Sequence, residues 1–122
     1  MTHYIGIDIV EIARIAEAVQ QWGERFVGRV YTDEEIRLYG GRPSSLAARF
    51  AGKEAVVKAL GTSERGISWK DIEILAEPGG RPMVNLYGRA RERADELGVS
   101  GLAISLSHSK EYAIAFVFGE AK

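Results

Sequence analysis

Two carboxylates in unusual positions are the first candidates for chemistry in this sequence. Asp8 lies within a run of alternating isoleucines that is typical of a β-strand, where aspartate is rare. Glu54 lies at the edge of an apolar helical stripe, four residues before Lys58. Such carboxylates could hold Mg²⁺, which proteins usually bind through one or two carboxylates plus substrate phosphates. A simpler interpretation stays open: Asp8 could cap the following helix, and Glu54 and Lys58 could form an ordinary i,i+4 pair.

The segment around Glu54 predicts a helix with little solvated surface. Large apolar side chains share one stripe, and small ones share the opposite side. These two groups are Leu46, Phe50, Val57 and Leu60, and Ala48, Gly52, Ala55 and Ala59. Lys53 nevertheless falls inside the large apolar stripe. Because a partly buried charge is costly unless it is paired or bound, the charged residues of this helix indicate a polyanion or a metal in a cleft.

Several cations accompany the two carboxylates, and they favour one class of carboxylate chemistry. A glycosidase pair has no need for so many positive charges, whereas a Mg²⁺–pyrophosphate ligand does. The chain has no Walker loop and no GxGxxG turn, so side chains must hold the phosphates. The candidate cations are Arg49, Lys53, Lys58, Arg81 and His108.

Period-two alternation predicts a first strand over residues 4–10. Its isoleucines point to one face, while Asp8 and Gly6 point to the other. A glycine at this place allows a ligand or another backbone to come close. The next segment, 11–22, predicts a helix that buries four apolar residues: Ile12, Ile15, Val19 and Trp22.

The opposite side of this first helix carries arginines. It includes Arg14 and, if the helix continues through Gly23, also Arg25. The default interpretation of such a row is a solvated face. The alternative is a surface that docks an acidic protein, because arginine is well suited to hydrogen-bonded ion pairs.

The remaining patterns complete an α+β architecture in which helices pack on a largely antiparallel sheet. Thr32 and Glu35 form a capping box that starts a short helix. The later elements are a helix from Pro43 that ends at Gly61, a hairpin of strands 67–76 and 83–87, a helix 89–97, and two alternating strands, 102–106 and 112–118.

Composition limits the classes of protein and partner. The chain has 122 residues, a net charge of −1 and no cysteine, which suits one domain, 1–122, without disulfides or thiolate metal sites. We expect no membrane partner and a cytoplasmic protein, since no apolar run could span a bilayer and no signal peptide is evident. Near-neutral charge and aromatic residues expected to face inward argue against a nucleic-acid partner.

Two motifs carry a resemblance to a known family. The segments Gly6-Ile7-Asp8-Ile9 and 49–59 (RFAGKEAVVKA) resemble the two signature motifs of the 4′-phosphopantetheinyl transferases. The similarity is greatest to the short bacterial type, the holo-[acyl-carrier-protein] synthases. Chain length agrees with that type, and so do three further segments, 26–32, 80–82 and 105–112.

The resemblance implies an activity, a fold and an assembly. Members transfer the phosphopantetheine arm of coenzyme A to a serine of apo acyl carrier protein, for fatty acid biosynthesis, and release adenosine 3′,5′-bisphosphate. Members of this size are homotrimers with sites at subunit interfaces. A competing hypothesis is a non-catalytic module that binds coenzyme A or an acidic protein, which would not need Asp8 and Glu54 together.

The resemblance also implies roles for the candidate residues. Asp8 and Glu54 would bind Mg²⁺, with water in place of the third acidic ligand of larger relatives, where this chain has Val10. Lys58 would neutralise the pyrophosphate, and either Glu54 or a metal-bound water would accept the serine proton. The coenzyme would also contact Arg49, Arg81, Pro82 and His108, and the carrier would dock at Arg14, Arg25 and their neighbours. His108 could instead be a structural turn residue, and 63–65 depart from the family pattern.

Overall fold

The computed structural model describes residues 1–61 and 66–122. The elements follow one another as β1 (Thr2–Glu11), α1 (Ile12–Trp22), α2 (Glu24–Val30), α3 (Asp33–Tyr39), α4 (Pro43–Leu60), β2 (Ile72–Ala76), β3 (Pro82–Leu86), α5 (Gly88–Leu97), β4 (Leu102–His108) and β5 (Tyr112–Ala121). A short 3₁₀ turn, Trp69–Asp71, precedes β2. The α+β class is confirmed. The departing residues 63–65 lie outside the described part of the chain.

The strands form two antiparallel sheets instead of one continuous sheet. The larger sheet has the order β1-β5-β4, and β2 and β3 form a separate hairpin. Helix α4 packs against β1, β5, β4 and β2, so it lies at the centre of the molecule. Its ends agree with the sequence: Pro43 stands in the first turn, and Gly61 ends the helix in the left-handed conformation, with φ 73°.

Strand β1 turns its glycine and aspartate, not its isoleucines, toward α4. Gly6 is buried, and a Cβ placed on it would lie 1.8 Å from the carbonyl oxygen of Ala55. The sequence predicted that a ligand or another backbone comes close to Gly6, and in the structure it is the α4 backbone. Only a residue without a side chain permits this contact, which brings Asp8, two residues along on the same face, next to the helix.

The other face of the large sheet is apolar and open to solvent. We call it the outer apolar face; its members, 38–58% exposed, are Ile5, Ile7, Ile9, Tyr112, Ile114 and Phe116. The expectation that the aromatic residues face inward is wrong for Tyr112 and Phe116. The inward positions of β5 are instead small or medium, as at Ala115, because α4 lies so close.

Helix α1 ends at Gly23, which adopts φ 53° and ψ −128°. The alternative in which the first helix continues through Gly23 is wrong, because Arg25 belongs to a separate helix, α2. Trp22 is half exposed, in contrast to the expected burial. The capping box of α3 is confirmed, since the Thr32 side chain accepts a hydrogen bond from the Glu35 N–H and the Glu35 carboxylate accepts one from the Thr32 N–H.

The strand expected over 67–76 begins only at Ile72. The preceding Trp69–Asp71 turn is fixed by a capping box in which Ser68 and Asp71 bond each other's backbone N–H groups. A side chain that bonds the backbone locally competes with the ladder of a sheet. The apolar residues before Ile72 therefore do not extend β2.

A fully buried ion pair joins α3 to α4. Lys53 Nζ lies 2.8 Å from Glu35 Oε1, and both side chains have no exposed surface. Lys53 also donates to the carbonyl oxygens of Trp69 and Ile72, while Glu35 Oε2 accepts from the Ile74 N–H at 2.8 Å. The charge in the apolar stripe is thus satisfied within the chain. Contacts within the chain therefore account for the burial of α4 without a second subunit.

We predict that Gly6→Ala destabilises the protein by at least about 3 kcal/mol, because the new methyl group overlaps the α4 backbone, which cannot yield as a flexible side chain would. Thermal and urea unfolding measure the change. Gly101→Ala is the matched control, since a Cβ there meets nothing within 4 Å. Equal stability of the two variants would contradict the close packing at Gly6.

Candidate active site

Three of the predicted site residues meet where β1 crosses α4. Lys58 Nζ lies 3.0 Å from Asp8 Oδ1 and donates a second hydrogen bond, also 3.0 Å, to the carbonyl oxygen of Ile7. The Asp8 side chain is 18% exposed and that of Lys58 is 56% exposed. Asp8 is therefore paired across the fold. The helix-cap interpretation is wrong, because the residue before α1 is Glu11, and it makes no side-chain cap.

Glu54 is the second carboxylate of this site. Partial burial and the negative charge of Asp8 raise the pKa of Glu54, and the positive charge of Lys58 partly offsets that increase in pKa. Glu54 lies one helical turn before Lys58 on α4, on the side of the helix that faces Asp8. Glu54 also borders a cavity of about 160 Å³, whose other lining residues are Val57, Ile67, Ser68, Trp69 and Ile72.

The donor set fits a hard divalent cation that has further ligands from outside the protein. Asp8 and Glu54 are acidic oxygen donors, and their mutual repulsion is the arrangement that a cation relieves. Within residues 1–61 and 66–122, no group of three or more histidine, cysteine, aspartate or glutamate side chains could enclose a metal. A metal at this site would therefore need substrate oxygens or water to complete its coordination.

Two of the predicted cations are engaged elsewhere. Lys53 is buried on Glu35 and cannot reach a ligand beside Asp8. The guanidinium of Arg49 lies over the Tyr39 ring, with its carbon 3.6 Å from the ring centroid, and its Nε donates to the Ile74 carbonyl at 3.2 Å. Helical geometry explains both positions, because residues 49 and 53 share a side of α4 that residues 54 and 58 do not.

The remaining coenzyme candidates lie at the ends of strands. Arg81 is exposed and immediately precedes β3, and Pro82 is the first residue of β3. His108 ends β4 and is exposed, with its Nδ1 3.3 Å from the Ser109 carbonyl oxygen. Strand register separates the Cα atoms of His108 and Asp8 by about 12 Å, since two strand spacings and two residues lie between them. An extended ligand could contact both residues, but a single phosphate could not.

The predicted docking arginines lie on two successive helices. Arg14 is exposed on α1, and Arg25 is exposed on α2. Arg25 lines a shallow groove of about 330 Å³ with Trp22, Phe26 and Arg29. The break at Gly23 thus produces a mixed aromatic and basic groove instead of a simple arginine row.

Sequence reasoning missed the acidic partners that organise the interior. Glu35 neutralises Lys53, and Glu73, which is buried on β2, accepts hydrogen bonds from Thr32 Oγ1 at 2.7 Å and from the Tyr87 hydroxyl at 3.0 Å. One signal was present: a lysine inside an apolar stripe requires a buried anion, and Glu35 is the acidic residue of the capping box that the sequence predicts.

The site as a whole brings two carboxylates and an exposed cation, Lys58, to one edge of α4. This arrangement can bind a metal–phosphate ligand, accept a proton at Glu54 and place a positive charge near transferred phosphate oxygens.

Within the described residues, no helix is both long and apolar enough to cross a membrane.

Comparison with known proteins identifies relatives along almost the whole chain. The model of the 4′-phosphopantetheinyl transferase superfamily matches residues 4–117. A holo-[acyl-carrier-protein] synthase of Dehalococcoides mccartyi strain CBDB1 is 51% identical over 117 residues, which are 96% of this chain and 98% of that protein. One from Koribacter versatilis is 47% identical, over 94% of this chain and 95% of that protein.

Solved structures agree in fold. The Helicobacter pylori holo-[acyl-carrier-protein] synthase in complex with coenzyme A has a TM-score of 0.84 and 38% identity, covering 95% of this chain and 99% of that one. The Neisseria meningitidis synthase has a TM-score of 0.85 and 38% identity, with 96% and 97% covered. With the paired carboxylates and Lys58 in the two signature segments, these matches show that the chain belongs to the 4′-phosphopantetheinyl transferase superfamily, as the holo-[acyl-carrier-protein] synthases do.

Proposed function

We propose that this protein transfers the 4′-phosphopantetheine group of coenzyme A to a serine of apo acyl carrier protein, as a Mg²⁺-dependent holo-[acyl-carrier-protein] synthase. The observation that carries the proposal is the cluster of Asp8, Glu54 and Lys58 in a chain of this family. The H. pylori relative binds coenzyme A, which supports that co-substrate here. The proposal includes a cytoplasmic protein that supplies holo carrier for fatty acid biosynthesis.

In the proposed reaction the serine oxygen attacks the β-phosphorus of coenzyme A. A P–O bond to the serine forms, the P–O bond to the α-phosphate breaks, and adenosine 3′,5′-bisphosphate leaves. Asp8 and Glu54 would hold the Mg²⁺, which when bound supplies charge neutralisation at the pyrophosphate. Lys58 adds a second positive charge there. The raised pKa of Glu54 supports its candidacy as proton acceptor, with a water as the alternative.

The rest of the coenzyme would lie along side chains farther from the carboxylates. We assign the 3′-phosphate and adenosine end to Arg49 and His108, and the nucleotide face to Arg81 and Pro82. The 12 Å register separation of His108 from Asp8 suits opposite ends of an extended coenzyme. Arg49 would have to leave the Tyr39 ring or act through it.

We predict that incubation with apo acyl carrier protein, coenzyme A and Mg²⁺ adds the mass of one phosphopantetheine to the carrier, and that EDTA abolishes the gain. Asp8→Ala and Glu54→Ala should each reduce the transfer rate at least about 100-fold, since each removes half of the protein's metal ligands. Intact-mass spectrometry measures both results. The matched control is Asp95→Ala, which removes an exposed carboxylate on α5.

Two results would contradict this assignment. Transfer that survives EDTA would exclude a required metal. Binding of coenzyme A without transfer to any carrier, unaffected by Asp8→Ala and Glu54→Ala, would support the non-catalytic binding module instead.

We propose a homotrimer whose subunits meet through the outer apolar face. Six large apolar side chains on one sheet face, all at least 38% exposed, form a patch of the kind that marks protein interfaces. The patch lies on the face of β1 opposite to Asp8, so a neighbour packed on it would reach the coenzyme only where it extends past the edge of the sheet. Coenzyme contacts could then come from two subunits.

We predict that Phe116→Glu converts the trimer to monomers, because the new charge would be buried in the interface, and that transfer falls at least about tenfold. Sedimentation velocity and the mass assay measure the two effects. Leu38→Glu is the control, since Leu38 is comparably exposed on α3 but outside the face. A monomeric wild type, or a Phe116→Glu variant that remains trimeric, would overturn the proposed interface.

We propose that the acidic helix of the carrier docks at Arg14, Arg25 and the groove between Trp22 and Arg29. The aromatic residues of this groove supply contact area, and its arginines supply charge complementarity to a negatively charged partner. The near-neutral charge of the whole chain requires such a local attraction.

We predict that Arg25→Glu raises the KM for the carrier about tenfold or more while the KM for coenzyme A changes less than about twofold, because only the carrier meets this surface. Steady-state assays with each substrate varied in turn measure the difference. Arg91→Glu makes the same charge reversal on α5 and should leave both values near wild type. Equal effects of the two reversals would reject this docking surface.

A further inference from the structure

Lys58 is paired with one of the two carboxylates to which the proposed function assigns the metal. Its Nζ lies 3.0 Å from Asp8 Oδ1 and 3.0 Å from the carbonyl oxygen of Ile7. These two acceptors hold the ammonium on the β1 side of the site, next to the Asp8 carboxylate, which is less exposed than Lys58. The same lysine is the group expected to act on the pyrophosphate, so it has two possible anionic partners.

A lysine in this position opposes metal binding by the protein alone. Mg²⁺ bonds its oxygen ligands directly, at about 2.0–2.1 Å, and releases its own water reluctantly. An ammonium that is hydrogen-bonded to Asp8 neutralises that carboxylate and repels a second cation. Within the described residues, only Glu54 stands beside Asp8 as an acidic ligand, and no group of three could compensate.

A pyrophosphate changes this balance. It offers Lys58 a stronger anionic acceptor than a single carboxylate, and the 56% exposed lysine side chain is free on its solvent side to turn toward it. The pyrophosphate also supplies the oxygens that the two carboxylates lack. Removal of the lysine from Asp8 and completion of the metal site would therefore occur together.

We propose that the Lys58–Asp8 ion pair blocks metal binding until Lys58 leaves Asp8 to bind the pyrophosphate of coenzyme A. This proposal rests on the proposed function, because it takes the same metal and coenzyme as ligands, and it adds an order of events: the metal enters with the pyrophosphate or after it. Lys58 is thus a gate for the metal as well as a stabiliser of the phosphate.

The test measures Mn²⁺ binding without coenzyme A, from the loss of the electron paramagnetic resonance signal of free Mn²⁺. Lys58→Met should bind Mn²⁺ about fivefold more tightly than the wild type, as expected from removing a partly exposed ion pair. Lys122→Met removes the same charge beyond the far end of β5 and should stay within about 1.5-fold of the wild type. Circular dichroism melts check that both variants fold.

Each result has a separate meaning. Unchanged or weaker Mn²⁺ binding by Lys58→Met would overturn the gate, and so would equal tightening by Lys58→Met and Lys122→Met, which would indicate a long-range charge effect. Addition of coenzyme A to the wild type tests the proposed function independently. If Mn²⁺ stays unbound with coenzyme A present, the metal assignment fails and the gate fails with it; if Mn²⁺ binds with coenzyme A but Lys58→Met matches the wild type, only the gate fails.

Discussion

The contact between β1 and α4 at Gly6 is the constraint on which the rest of the structure depends. A backbone-to-backbone approach of this kind fixes the height of the helix above the sheet. The inward side chains of β5 must be small or medium in size to fit beneath α4, and the isoleucines of β1 must face away from it. The same approach brings the aspartate of a strand within hydrogen-bonding distance of a lysine of the helix. Packing and site geometry therefore have one origin.

The charged residues of α4 divide into two functional sets by helical phase. Arg49 and Lys53 face the interior, where a carbonyl oxygen, an aromatic ring and a buried carboxylate satisfy them. Glu54 and Lys58 face the edge of β1, where solvent and a ligand can reach them. The interior set holds the β2 hairpin and the Trp69 turn against the helix. Because Trp69 also lines the cavity at Glu54, the structural charges support one wall of the candidate site.

Local signals in the sequence predicted most elements correctly. The Thr32–Glu35 capping box, Pro43 and the left-handed Gly61 mark helix ends through short-range hydrogen bonds and backbone geometry, which a sequence displays directly. Asp8 was identifiable as a candidate site residue because aspartate is unexpected among isoleucines. The direction in which β1 faces was not predictable, since alternation gives two faces without saying which one is covered.

The contacts of Lys53 and Arg49 were not predictable because their partners are distant in sequence, whereas the error at Trp22 has a local cause. Trp22 has the spacing of a buried residue, but the turn at Gly23 leaves it half exposed. Lys53 has the charge of a ligand-binding residue, but α3 supplies Glu35 across the fold. Arg49 matches a signature motif, yet its present contacts are with Tyr39 and Ile74. A signature motif or the helical spacing of a residue indicates that the residue is important, and tertiary contacts determine what its side chain binds.

The buried pair of Glu35 and Lys53 has a consequence for how this sequence can change over time. Loss of either partner alone leaves an uncompensated charge in the interior, at a cost of about 3–5 kcal/mol, whereas an apolar pair of similar volume can be neutral. Replacement of the two residues one after the other therefore passes through a poorly folding intermediate. Glu35 is constrained further, because one of its oxygens caps α3 and the other binds β2. These two positions, far apart in the chain, are expected to vary together or not at all.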